Sequence, residues 1–313
     1  MSILEQINER FPIRRSGSEK KAFRQWALEK MNELGYHARV EENDNGRHQN
    51  VVAGDPDKAQ IIFTAHYDTP ACIGIPNLMI PRNWPVYLLY QMLIVGGMLA
   101  IALAAGLGLG VLLQNQKAML LGYFGVYMVL LLLMLYGPAN KHNVNDNTSG
   151  VAAILELMER IPPENRSEIA FILFDNEEKG CRGSKAFARD HLKVQHTSLI
   201  VNLDCVGVGD HFILSVPKLA KGMEQYQLLE RTLAGREGKT VHFFSAATTR
   251  GNSDFRSFKC GVGVSAYEQK AGVGFITGKI HTKRDTRADQ ENIDFIANGL
   301  AECVSGLAAT EEV

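Results

Sequence analysis

The chain is poor in cysteine. Its 313 residues contain five, an odd number, and no CxxC pair. That excludes a disulfide framework and a cysteine-built zinc site. It also lacks an excess of either charge: the net value is -1, which leaves no electrostatic footprint for nucleic acid. The opening "MSILEQINERFPIRR" has no apolar core, so no cleaved secretion signal is expected, and a cytoplasmic setting is expected for the polar part of the chain. No GxSxG and no HExxH occurs, which removes the common serine-hydrolase and one-zinc motifs. One absence is local. Between Arg82 and Lys141 the only charge is Lys117.

That gap holds two apolar runs. Residues 86–113, "VYLLYQMLIVGGMLAIALAAGLGLGVLL", are 28 positions without a charge, and 118–136 are 19 more; only "QNQK" separates them. At 1.5 Å per residue they make helices of about 42 and about 28 Å, against a hydrocarbon core of about 30 Å. The short linker forces them antiparallel, so 83–139 is expected to be an inserted hydrophobic helical hairpin that spans the membrane twice. The lipid bilayer then becomes a partner. Trp84, Tyr87, Tyr90, Tyr123, Tyr127 and Tyr136 read as interface or packing aromatics. The small residues of 96–110 would let the helices approach closely. Arg82 and Lys141 flank the base, so the catalytic part is expected on the cytoplasmic face of the cell membrane.

The rest reads as α/β. Residues 18–34 have helical apolar spacing and stop at Gly35. "NVVAG" and "QIIFTAHYD" read as strands around a "DPD" turn. Residues 148–160 read as a helix ended by Pro162 and Pro163. "EIAFILFD", "SLIVNLD", "HFILSV", "VHFFSA" and "GVGVSAYE" are further strands, with helices over "SKAFARDHL" and about 289–307. The expected fold is a mostly parallel mixed sheet flanked by helices on both faces. The expected domains are a discontinuous one of 1–82 plus 140–313 and the insertion 83–139.

Chemistry gathers where apolar strands end. "IIFTA" runs into His66 and Asp68, "FILF" into Asp175, Glu177 and Glu178, and "LIVNL" into Asp204. "NDNTSG" carries Asp146, and "HTKRDT" carries His281 and Asp285. Two histidines and several carboxylates on loops suit a two-metal hydrolase. A shared carboxylate bridges the ions, and a free one takes a proton from water.

The ordered set HxD, DNxSG, EE, D and HTxxDT resembles the co-catalytic two-zinc aminopeptidase family. That family includes bacterial leucyl-type aminopeptidases, with glutamate carboxypeptidase and glutaminyl cyclase as relatives. The resemblance spans roughly 15–80 and 140–310, and implies a zinc exopeptidase-like fold holding two Zn2+, with other divalent ions as substitutes. It implies His66 and Asp204 on one ion, Glu178 and His281 on the other, and Asp146 bridging. Glu177 would be the general base, Asp68 would orient His66 through its second ring nitrogen, and Asp285 would play a similar supporting part. At "RGNSDFRSF", Asn252 and Phe255 stand where many members carry tyrosine and histidine. Carbonyl polarisation then falls to Asn252, Arg250 or the metals, with Tyr267 as a pocket residue. The implied activity is a membrane-anchored aminopeptidase acting on a peptide or amphiphilic amide. An amidase, a glutaminyl-cyclase-like acyl transferase and a non-catalytic scaffold are the alternatives, and a homo-oligomer stays open.

Overall fold

The computed structural model describes residues 1–72, 74–75, 77–234 and 236–311. Three strands form the centre: β3 (Ile61–His66), β4 (Ile169–Phe174) and β5 (Leu199–Leu203). Every residue in them is buried. A strand apolar on both sides must lie between two layers, and alternation sorts its side chains. Ile61, Phe63 and Ala65 pack with α1 (Ile3–Arg10), α2 (Gly17–Glu33), α5 (Ser149–Arg160) and α9 (Gln290–Glu311). Ile62 packs on the opposite face with Phe187 of α6 (Arg182–Asp190) and Val194 of α7 (Val194–Thr197).

The remaining strands are β1 (Ala38–Asn43), β2 (His48–Ala53), β6 (His211–Val216), β7 (Thr240–Ser245), β8 (Gly261–Lys270) and β9 (Gly274–Ile276). The sheet order is β1-β2-β4-β3-β5-β8-β6-β7, with β9 on β8. Pairing is parallel across β4-β3-β5-β8 and again for β6 with β7. It is antiparallel where β1 meets β2, β2 meets β4, β6 meets β8, and β8 meets β9. The continuous parallel run β4-β3-β5-β8 is the middle of the sheet, and the parallel β6–β7 pair lies at one edge. The half-exposed β1 and the amphipathic α8 (Glu224–Ala234) complete the set.

The apolar window forms α3 (Trp84–Leu113) and α4 (Gln116–Tyr136), joined through Gln114 and Asn115. Both are long and apolar enough to cross a membrane by length and composition. Leu93, Val111, Leu112, Leu121 and Phe124 are among the large apolar side chains they leave exposed. The helices meet where side chains vanish. A Cβ on Gly106 would lie 2.7 Å from the Met119 carbonyl, and one on Gly122 would lie 3.2 Å from Gly106 Cα. Gly96, Gly97 and Gly108 face open space instead, so only part of the small-residue run serves the contact.

The base of the hairpin is stitched to the sheet domain. Cys72 N–H donates to Pro138 O at 2.7 Å, and Asn140 N–H donates to Pro70 O at 3.1 Å. The Arg82 guanidinium sits 4.3 Å over Phe244, and Asn83 donates to Val273 O. Arg14, fully buried, ties three segments together. It donates to the Tyr67 and Phe11 carbonyls, to Asn143 Oδ1 and to Thr148 Oγ1. It thereby links the N-terminal segment, the end of β3 and the return of the hairpin.

Candidate metal centre

Parallel strands end together, so the residues just past each of them share one edge of the sheet. His66 closes β3. Glu177 and Glu178 follow β4, and Asp204 follows β5. Asp146 lies in the irregular turn Val144–Thr148 that leads into α5, and the Asp146–Asn147 peptide is cis. His281 comes from the loop after β9. The six therefore arrive from five separate segments.

The geometry is centred on Asp146. Its Oδ1 is 3.4 Å from His66 Nε2, and its Oδ2 is 3.0 Å from His281 Nε2. Asp204 Oδ1 lies 3.8 Å from the same His66 nitrogen, and Glu178 Oε2 lies 3.5 Å from the His281 nitrogen. His66, Asp146 and Asp204 offer ligand atoms within 4.8 Å of one another. So do Asp146, Glu178 and His281. A third such group, His66 with Glu177 and Glu178, overlaps both. Glu178 Oε1 is buried without a hydrogen-bond partner among the described residues. An orphaned carboxylate oxygen among imidazoles and acids fits a divalent cation.

The electrostatics agree. Burial opposes ionisation of Asp146, yet hydrogen bonds to His281 and His66 hold its carboxyl well below the usual range. Burial also opposes charge on His66, but Asp146, Asp204 and Asp68 outweigh it and raise the imidazole. Burial drives Glu177 well above the usual carboxylate range; His66 works against this, while Glu178, Asp254 and Asp204 add to it. Burial likewise raises Glu178, with Asp146 adding to it. So many acids in one dry site is costly unless cations enter.

Asp68 faces the second ring nitrogen of His66 and has a further part. His66 Nδ1 is 3.2 Å from the Asp68 backbone carbonyl and 3.6 Å from its carboxylate. The carboxylate also accepts the Glu177 N–H at 2.9 Å and the Glu178 N–H at 3.2 Å. It fixes the two-glutamate turn more directly than it fixes the imidazole. Asp285 mirrors this on the other side, accepting the Asn145 N–H at 2.9 Å and the Asp146 N–H at 3.0 Å. An Asp285→Asn variant keeps one acceptor and meets the other N–H with an amide. We expect it to fold and to lose metal affinity on the order of 10- to 100-fold. Competition with a calibrated chelator measures this, and unchanged affinity would remove Asp285 from the site's support.

The three expected substrate residues separate. Asn252 and Tyr267 line a small cavity of about 20 Å³ beside Asp204. Arg250 borders it, but its guanidinium lies 4.2 Å over the Trp84 ring. That stacking ties Arg250 to the hairpin base. Sequence reasoning missed Asp254, which is fully buried, and burial first of all pushes its carboxyl up to about 7. It stands inside the "RGNSDFRSF" stretch already singled out, hidden among a loop's ordinary polar residues. Arg14 and Lys20 were missed too. Lys20 is 5 % exposed, and its ammonium is 2.6 Å from Asp175. Nothing local marks a basic residue as buried.

Comparison with solved structures shows the same fold. Porphyromonas gingivalis glutaminyl cyclase aligns over 98 % of this chain and 97 % of its own, at 17 % identity and TM-score 0.61. A Zn-dependent exopeptidase from Parabacteroides distasonis aligns over 96 % and 94 %, at 14 % identity and TM-score 0.59. The Legionella pneumophila LapA aminopeptidase aligns over 98 % of this chain and 70 % of its own, at 13 % identity and TM-score 0.57. No curated protein matches significantly by sequence. The sequence pattern of Peptidase family M28 matches residues 134–304, more than half of the chain, and with the fold and the Asp146-centred cluster this shows that the chain belongs to peptidase family M28.

Proposed function

We propose that the chain is a membrane-anchored, zinc-dependent exopeptidase, and specifically an aminopeptidase. The observation that carries this is the pair of ligand triads sharing Asp146, with the half-buried Glu177 beside them. His66, Asp146 and Asp204 would hold one ion, and Asp146, Glu178 and His281 the other. Two divalent ions bound there would polarise the scissile carbonyl and make water acidic enough to attack near neutral pH. Glu177 takes the proton from that water and delivers it to the leaving nitrogen. A carboxyl whose proton affinity is raised by burial suits both halves of that transfer. Asp68 holds the Glu177–Glu178 turn, and Asp285 holds the backbone of Asp146. The free amino terminus lies on the side of Asp204, Asn252 and Tyr267, where the enclosed space of about 20 Å³ takes little more than one water and the Asp204 carboxylate favours an ammonium.

The hairpin of α3 and α4 serves as the anchor. It places both halves of the enzyme on one membrane face, which we take as cytoplasmic. The test is a panel of aminoacyl and N-blocked reporters, with detergent-purified, zinc-loaded protein. We expect cleavage of free-amine substrates only. Cleavage of blocked ones would make the enzyme an amidase or carboxypeptidase. Cyclised product from N-terminal glutamine would make it an acyl transferase.

A further inference from the structure

A cavity of about 470 Å³ joins the metal centre to the hairpin. Its size falls in the range of about 300–1,000 Å³ usual for small-ligand sites. Three kinds of wall meet in it. Asp68, Glu178 and His281 form the floor at the metal centre. Ile94 and Met98 of α3 with Leu130 and Leu133 of α4 form an apolar wall. Arg15, Lys20 and Lys179 form a cationic wall. Lys20 is already engaged by Asp175 and Asn176, whereas Lys179 is exposed. The hairpin is therefore part of the substrate chamber as well as an appendage of the domain.

The charges have a direction. Among the described residues, Asp204 is the one acid lining the small cavity, where Arg250 is turned onto Trp84. The three cations of the larger cavity stand across the centre, on the hairpin side. A free ammonium is drawn to the first side and repelled from the second. A carboxylate behaves in the opposite way. An extended chain advances about 3.3 Å per residue, so a carboxylate reaches a wall of this same cavity only within two or three residues of the scissile bond. Resting on the aminopeptidase reading, we infer that the cavity is the subsite for the leaving fragment, and that it selects short apolar peptides ending in a free carboxylate. Apolar side chains after the cut lie against Ile94, Met98 and Leu130. The terminal carboxylate meets Lys179.

Tri-leucine and its C-terminal amide are the probes, used with the full chain in detergent. We expect kcat/KM for the free acid to exceed that for the amide by tenfold or more, as a lost charge-assisted hydrogen bond implies. Lys179→Gln should shrink that ratio toward one. Met98→Trp, which fills the apolar wall, should weaken tri-leucine far more than Leu-Gly-Gly. Calorimetric binding of the same probes to the Glu177→Gln variant gives a readout free of turnover, and the acid should bind at least tenfold tighter there too. Equal handling of acid and amide in both assays overturns the subsite while leaving the aminopeptidase intact. Cleavage of N-lauroyl-leucine with no cleavage of tri-leucine overturns its direction. No turnover of any probe defeats the hydrolase reading, and the calorimetry still decides the subsite.

Discussion

Glu177→Gln lowers kcat by about 10²- to 10⁴-fold, the usual worth of a positioned general base, and leaves KM nearly unchanged. The change is close to isosteric and removes only the capacity to take a proton. The Glu177 backbone N–H still donates to Asp68 Oδ1, so the turn holding Glu178 keeps its shape. Glu178 is one of the charges that push Glu177 up, and a neutral amide relieves that repulsion. Folding stability is therefore expected to hold or rise slightly, the familiar exchange of function for stability at an active site. Metal content is the second readout. Glu177 belongs to neither triad that shares Asp146, yet it does belong to the overlapping group with His66 and Glu178. Retained metal with lost turnover assigns it the proton. Lost metal would make it a ligand, and retention of more than a tenth of kcat would move the base elsewhere, with the buried Asp254 as the nearest candidate.

The central strands were legible because β3, β4 and β5 are uninterrupted apolar runs, and the acid or histidine at the end of each one marks the functional edge. The hairpin was legible because almost no charge interrupts it. Where the sequence was silent, there is a physical reason in each case. The edge strand β1 reads "ARVEEN", too polar for a strand pattern, because its place at the sheet edge leaves most of it solvated. Helix α1 is short: its eight residues bury only Leu4 and Ile7, so its signals are one helical spacing and the Ser2–Glu5 capping box. Asp68 was given to His66 because the two are neighbours in sequence. Its carboxylate also bonds backbone N–H groups 109 and 110 residues away, a partnership only the β3–β4 pairing creates. The stacking of Arg250 on Trp84 was not legible because Trp84 lies 166 positions earlier, in an insertion whose docking no local pattern records.

Stripping the metal should abolish turnover and leave a protein that becomes less stable as the pH rises from about 5 to 8. Burial raises Asp254 and Asp285 to about 7, and drives Glu177 and Glu178 well above their usual range. An unfolded carboxyl titrates near 4, so across this window the folded apoprotein holds protons that the unfolded chain has released. Stability from these groups is fully present below about pH 4 and is lost as pH rises through their folded values. His66 and His281 are also raised, and their contribution too fades as pH rises. Asp146 and Asp68 are lowered, so they act in the opposite sense, but only on acidification below about pH 4. Every one of these groups that acts within the window therefore pulls in the same direction. Together these groups should lower the Tm of the stripped protein measurably across the window. Zinc reverses the trend, because binding needs deprotonated ligands and tightens as pH rises. The gap in Tm between loaded and stripped protein should thus widen steadily from pH 5.5 to 8. Melting curves of both forms in the same detergent measure it. A stripped protein whose Tm stays flat or climbs over that range would mean that these buried acids are ionised without metal, and that the site is balanced by its own residues.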